Sequence, residues 1–222
     1  MDIVIVRIGI DIGQKVDPTA IAVVELQERP DADHWVVRFM ERLPLSTPYP
    51  AIAQRLATII TGVERTVPYF TPREGRLIVP RLELEVYVDA TGVGLPVVDA
   101  LNEYGLAVVP VYFTHGDRRS VVDGQVLLGK AWLVSRLKVL FQQGRIHLPA
   151  HHPDAEAMAR ELQDYEIRVS EDANDRYGAF AVGAHDDLVT ALGLAVQSGD
   201  EVRPVTRRED WLPYFQHMPR GA

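Results

Sequence analysis

The chain is predicted to be a mixed α/β domain. Three antiparallel strands followed by parallel strands form its central sheet, helices flank it, and a β-hairpin precedes the last helix. Three observations predict this. Val4 to Ile12 is a nearly continuous apolar run interrupted by Arg7 and Asp11, the pattern of a strand covered on both faces. Two further strand-like runs follow across turns too short for a crossover, so the first three strands form an antiparallel meander. From Leu82 to Tyr112 the order is strand, glycine-rich turn, helix, strand, which calls for a right-handed parallel crossover.

The elements follow in order. Gly13 to Thr19 make a turn, with Asp17-Pro18 as breaker. Ala20 to Gln27 form the second strand and His34 to Leu43 the third, where Trp35, Val37 and Phe39 alternate against Val36, Arg38 and Met40. Ala51 to Glu64 carry Ile52, Leu56, Ile59, Ile60 and Val63, a helical stripe. Val67 to Arg81 hold three prolines and read as a loop or small hairpin. Leu82 to Val88 form a fourth strand ending at Asp89, Leu95 to Tyr104 a short helix, and Ala107 to Tyr112 a fifth strand. Ser120 to Gln143 are predicted to form one long amphipathic helix or a broken pair, burying Val126, Leu127, Ala131, Val134, Leu137 and Leu140. Ile146 to Leu148 make a short segment and Asp154 to Tyr165 another helix. Ile167 to Val169 and Tyr177 to Val182 flank a polar tip as a hairpin, and His185 to Val196 form the last apolar helix. Residues 1–200 are expected to form one domain and 201–222 a loose tail.

Composition narrows the chemistry. At 222 residues the chain can bury a substantial core. It has no cysteine, which excludes disulfides, thiolate zinc sites and cysteine nucleophiles. No run reaches the length of a transmembrane helix and no signal peptide is evident, so no membrane partner is expected. The net charge of −8 weighs against a broad nucleic-acid surface, although catalytic carboxylates count in that sum and a local basic patch still engages phosphates.

The acids are the chemical signal. Asp11 closes the first strand, Asp89 closes the fourth, and Asp186-Asp187 open the last helix. A carboxylate at the end of a buried strand is costly to leave unpaired; a metal ion, a basic partner or the mouth of a site resolves the cost, and for Asp11 alone a turn-capping role also does. Acids from several elements that converge fit hard, oxygen-seeking cations such as magnesium or manganese, whereas zinc favours histidine or cysteine.

This order of elements and acids resembles the RNase H-like fold. The match sharpens at three motifs. Asp89-Ala-Thr-Gly-Val-Gly94 before a helix, Gly129-Lys130 opening an amphipathic helix with Gly144-Arg145-Ile146-His147-Leu148-Pro149 after it, and Gly183-Ala-His185-Asp186-Asp187-Leu-Val-Thr190-Ala-Leu192 are similar to the nuclease domains of phage large terminases. The resemblance spans roughly Ile8 to Val196. Two departures stand out. Many relatives carry an Asp where this chain has Thr190, so an outer ligand is missing or comes from Asp186, and the stretch from Val63 to Arg81 is unusually long.

The resemblance implies a divalent-metal-dependent endonuclease cutting double-stranded DNA during genome packaging, using two Mg2+ or Mn2+ ions. Asp11 would bridge both ions, Asp89 would hold one, and Asp187, assisted by Asp186, the other. It implies an ATPase motor domain of the same large terminase, a small terminase and a portal as partners, in the host cytoplasm. No phosphate-binding Gly-x-x-x-x-Gly-Lys-Ser/Thr loop occurs, which fits a nuclease domain separated from its motor, or a stand-alone nuclease. His185 is a candidate ligand or water-positioning group, or a simple helix cap. Lys130 would meet the scissile phosphate, or remain a solvated charge. Arg118, Arg119, Arg168 and Arg176 are candidate contacts to the DNA backbone, or isolated surface charges. Two other functions fit parts of the sequence. A non-catalytic RNase H-like module that grips DNA or a motor explains the fold but not the acids. An actin-like ATP-binding phosphotransferase explains Ile10-Asp11-Ile12-Gly13 but not the length or Asp186-Asp187.

Overall fold

The computed structural model describes residues 3–13, 17–66, 71–73, 76–78, 81–92, 95–164, 166–169, 175–178 and 186–198, with backbone alone at 71–73, 76–78, 95–96, 163–164, 166–169 and 175–178. The expected tail, residues 201–222, lies outside them.

β1 (Ile3–Asp11), β2 (Ala20–Glu28) and β3 (Asp33–Arg42) form the expected antiparallel meander. α1 (Tyr49–Thr66) follows, burying Ile52, Ala53, Leu56 and Ile59, an apolar face at helical spacing. β4 (Thr71–Arg73) and β5 (Arg76–Ile78) make a small hairpin within the stretch expected to be a loop or hairpin. β6 (Arg81–Asp89) returns beside β1 in parallel, and after α2 (Leu95–Glu103), β7 (Val109–Thr114) joins β6 in parallel.

The segment from Ser120 corrects the expectation of a long helix. Its first part is a hairpin, β8 (Arg119–Val122) and β9 (Gln125–Gly129), and only then does α3 (Lys130–Gln142) begin. The turn residues are Asp123 at φ 49° and Gly124 at φ 77°. Two consecutive left-handed residues match the twist of the flanking strands, and Asp-Gly is a strong signal for that turn. The apolar residues 126, 127, 131 and 134 also fit a helical repeat, which hid the turn. The buried face of α3 is Leu133, Leu137 and Leu140.

β10 (Ile146–His147) pairs in parallel with β3 at the far edge. α4 (Ala155–Asp164) leads to the hairpin β11 (Glu166–Val169) and β12 (Asp175–Gly178), whose second strand starts two residues earlier than expected. α5 (Asp187–Ala195) closes the domain. The main sheet has eight strands in the order β10-β3-β2-β1-β6-β7-β9-β8. Among the described residues, no helix is long and apolar enough to cross a membrane.

Two cores sit on opposite faces of this sheet. Ile8, Ile10, Val86 and Val88 face α1 and α2, whereas Ala20, Ala22, Tyr87 and Val111 face α3, α4 and α5. Strand side chains alternate between faces. On β1 the even positions therefore belong to the first core, and Gly9 and Asp11 to the second. All nine residues of α5 are buried, as expected of a helix enclosed between a sheet and other helices. Gly9 sets how closely α5 lies: a Cβ there would stand 2.0 Å from the Ala191 carbonyl oxygen and 2.6 Å from the Ala195 nitrogen. Only glycine lets the helix backbone rest on the strand, two residues before Asp11.

Candidate active site

The alternation that buries β1 and β6 also aims their acids. Val86 and Val88 face the first core, so Asp89, like Asp11, faces α5. The parallel register pairs Ile10 with Val88, and one step further along lie Asp11 and Asp89 on neighbouring strands. Over them stands the N-terminus of α5 with Asp187 as its first residue and Asp186 as its N-cap. A cleft of about 370 Å³ opens there, lined by Asp11, Asp17, Asp89, Lys130, Asp186 and Asp187, with Phe113 and Thr190 on its walls.

Local bonds fix the turns and the helix end that carry the acids. The Asp89 carboxylate accepts the Thr91 amide at 2.8 Å, and the Thr91 hydroxyl accepts the Phe113 amide at 2.7 Å. The turn after β6 is thereby tied to β7. After Asp11, the Gly13 amide meets the Thr19 hydroxyl at 3.2 Å. A Cβ at Gly13 would sit 2.0 Å from the Asp17 carbonyl oxygen, so this tight turn requires glycine. Asp187 is buried, with Oδ2 3.6 Å from Arg42 Nε on β3. Asp186 is half-buried and makes no side-chain cap bond, while its carbonyl accepts the Thr190 amide at 2.8 Å.

Like charges dominate the electrostatics. The Asp11 carboxyl is pushed well above the ordinary aspartate range, first by burial and then by Asp89, Asp187 and Asp186; Lys130 alone pulls the other way. Lys130, the first residue of α3, places its ammonium 5.3 Å from the centre of the Phe113 ring. Among the described residues, five aspartates and one lysine line the cleft. Such an all-oxygen anionic donor set suits Mg2+ or Mn2+. Among the described residues, no three acidic or histidine side chains surround one point closely enough to hold an ion as they stand. Carboxylates that repel one another must draw together when a cation cancels their charge.

The sequence-derived candidates distribute as follows. Asp11, Asp89, Asp186, Asp187, Lys130 and Thr190 meet at the cleft. Arg118 is exposed and does not line the cleft, although its carbonyl accepts the amide of Gly129, next to Lys130; Arg119 donates to the Gln197 side chain beside the far end of α5. His185 and the side chains of Arg168 and Arg176 lie outside the described residues. Three residues at or behind the cleft escaped sequence reasoning. Asp17 was read only as part of a turn breaker. Arg42 and Glu161 carried a readable signal, since each is a charge at an inward position of its element: Arg42 follows Met40 by two on a strand, and Glu161 follows Met158 by three on a helix.

No protein-family model matches the chain and no curated protein matches it. Solved structures do. The large terminase nuclease from thermophilic phage G20c is 20% identical, with 88% of this chain and 82% of that one covered and a TM-score of 0.58; the same nuclease with bound magnesium gives 0.59. The P22 large terminase nuclease domain is 14% identical over 91% of this chain and 86% of that one, at a TM-score of 0.53. The large terminase nuclease domain from bacteriophage SPP1 with bound Mn is 13% identical over 86% and 85%, at 0.51. The chain thus has the RNase H-like fold of the phage large-terminase nuclease domains.

Proposed function

We propose that the chain is a divalent-metal-dependent endodeoxyribonuclease, the nuclease domain of a phage large terminase, cutting double-stranded DNA during genome packaging. The observation that carries this reading is the meeting of Asp11, Asp89, Asp186 and Asp187 from two adjacent parallel strands and one helix N-terminus in a single cleft. Two structural neighbours, one with bound magnesium and one with bound Mn, support the choice of ion. Partners in this reading are an ATPase motor domain of the same large terminase, the small terminase and the portal, in the host cytoplasm.

Two divalent ions, when bound, activate a water molecule and stabilise the leaving oxygen of a phosphodiester. Asp11, which interacts with the other three acids, would be a ligand common to the metal site. Asp89 would hold one ion and Asp187 the other, with Asp186 at the rim and the Thr190 hydroxyl close by. Lys130 sits at the wall of the cleft, where it would orient a phosphate of the bound strand. Phe113 beside it offers an apolar surface to the sugar.

Cleavage of supercoiled plasmid in Mn2+ or Mg2+ tests the reading. The wild-type chain should yield nicked and linear DNA. Asp11→Asn, Asp89→Asn and Asp187→Asn should each lose more than about a hundredfold in rate, beyond what supporting residues around a metal usually cost, with unchanged circular dichroism. A pure wild-type chain that leaves plasmid intact and shows no thermal shift with either ion would refute the proposal.

A further inference from the structure

Behind the cleft lies a pair of charges that the proposed reaction does not use. Glu161 on α4 is 5% exposed. Its Oε2 accepts the amides of Leu188 at 2.9 Å and Val189 at 3.1 Å. These are the second and third residues of α5, and first-turn amides have no partner within their own helix. Asp186 at the N-cap leaves them unsatisfied by its side chain, so a carboxylate from a neighbouring helix caps α5. The other oxygen of Glu161, Oε1, is in close contact with Arg42 Nη2. Arg42 also reaches toward Asp187, with Nε 3.6 Å from Oδ2. Arg42 therefore stands between two carboxylates and lies nearer to Glu161. In register it pairs with Ala20, and Ala20 with Asp11, so it lies on the face of the sheet that carries the acids, two strands from Asp11.

We propose that Glu161 is a positioning residue for the ion held by Asp187: it locks the first turn of α5 and keeps Arg42 from competing with the ion for the Asp187 carboxylate. This rests on the nuclease reading above. A guanidinium and a divalent cation seek the same oxygens. With Glu161 charged, Arg42 is shared between two anions and its hold on the Asp187 carboxylate is weaker. With Glu161 neutral, Asp187 becomes the nearest anion to Arg42, and an entering ion must break that pair. With Arg42 neutral, the cap on α5 remains and a positive charge beside the ion is gone. The two substitutions should therefore move metal affinity in opposite directions, although both remove one partner of the same ion pair.

Calorimetric titration of the whole chain with Mn2+, below its unfolding transition, tests this alongside melting curves in EDTA. Glu161→Gln should bind Mn2+ at least about tenfold more weakly, as supporting residues around metal sites usually do when altered. Arg42→Met should bind it several-fold more tightly, because a nearby like charge has been removed. The double variant should recover affinity relative to Glu161→Gln alone. Both single variants should melt below wild type in EDTA. A cap with a purely structural role would lower both melting temperatures and leave Mn2+ affinity unmoved, and that result overturns the proposal. If Glu161→Gln does not fold, Arg42→Met and Arg42→Lys decide: tighter binding by the first alone supports the competition, and equal affinity for both removes it. A wild-type chain that binds no Mn2+ overturns the nuclease reading instead.

Discussion

At its N-terminus α5 presents Asp186 and Asp187 to a cleft that already holds Asp11, Asp17 and Asp89. At its C-terminus three arginines from three elements converge on the residues that end the helix. Arg136 on α3 donates to the Val196 carbonyl, Arg119 on β8 to the Gln197 side chain, and Arg7 on β1 to the Ser198 carbonyl. Arg7 also pairs with Glu85 at 2.7 Å, and both Arg7 and Arg136 stack over the buried Trp35 ring. Cations suit the negative end of a helix, where backbone carbonyls lack partners. Among the described residues, Arg7 has a carboxylate counterpart there, and Arg119 and Arg136 donate to neutral acceptors. At the other end, among the described residues, one lysine faces five aspartates. In the proposed reading, the contrast separates charge that serves the fold from charge that would receive a ligand: crowded, repelling carboxylates of this kind cluster at functional sites.

The largest effect that should separate the two ends is on activity at the acidic one. Adjacent helix residues point about 100° apart, so Asp186 and Asp187 cannot serve one ion equally. Asp187 is buried beside the Arg42 guanidinium, and Asp186 is half-buried at the cap. Asp187→Ala should abolish plasmid cleavage. Asp186→Ala should retain a fraction that Mn2+ raises further than Mg2+ does. Equal loss from both, or survival of Asp187→Ala, would reverse the assignment. Neither should melt below wild type by more than about a degree or two, since each removes a charge from a repelling group.

The arginine end should answer in the opposite way. Arg136→Met keeps the apolar stem and loses the donor to the Val196 carbonyl, so the chain should lose about 1–3 kcal/mol of stability. Its cleavage rate per folded molecule should stay near wild type. Urea unfolding measures the first and a rate normalised to folded fraction the second. A stable Arg136→Met chain with impaired cleavage would show that the C-terminal clamp also shapes the site.

Much of this asymmetry is legible in the sequence, for physical reasons that differ between the ends. The strands carrying Asp11 and Asp89 are apolar runs ending in an acid, and a period of two decides which face each acid takes. The parallel relation of β6 and β7 follows from the strand-turn-helix-strand order between Leu82 and Tyr112. Asp187 could be placed because its helix is apolar throughout. The hairpin β8–β9 was hidden because its apolar residues also fit a helical repeat, although Asp123-Gly124 marked the turn. The clamp and the Glu161 cap were not legible, because most of their partners are backbone groups on elements far apart in sequence: Arg7 and Ser198 are joined only once the sheet is assembled. Polar side chains that bond to distant backbone leave no periodic trace. An isolated charge at an inward position, as at Glu161, is the sign worth following.

The smallest expected effect tests the crowding itself. Burial and the neighbouring acids raise the Asp11 carboxyl above its ordinary range, so between the unfolded and folded pKa values the folded state keeps a proton that the unfolded state has released. The stabilisation that the protonated form provides is complete below the unfolded value, about 3.9, and disappears as pH rises through the folded value. Above that, a charged Asp11 is a liability in the metal-free protein. Asparagine has the same shape and does not titrate. In EDTA, Asp11→Asn should therefore melt above wild type at neutral pH, by on the order of a few degrees, and the gap should close toward pH 4. Acids that do not interact with Asp11 cancel in the difference, whereas Asp89, Asp187 and Asp186 are coupled to it and share in the effect. Adding millimolar Mn2+ at neutral pH should reverse the order, because a ligand that binds only the folded state raises its apparent stability and the variant has lost a carboxylate of the site. Melting curves of the two proteins across pH, with and without Mn2+, measure all of this. If the two melt together in EDTA at every pH, the acids do not repel as their arrangement requires, and the contrast between the two ends of α5 loses its electrostatic basis.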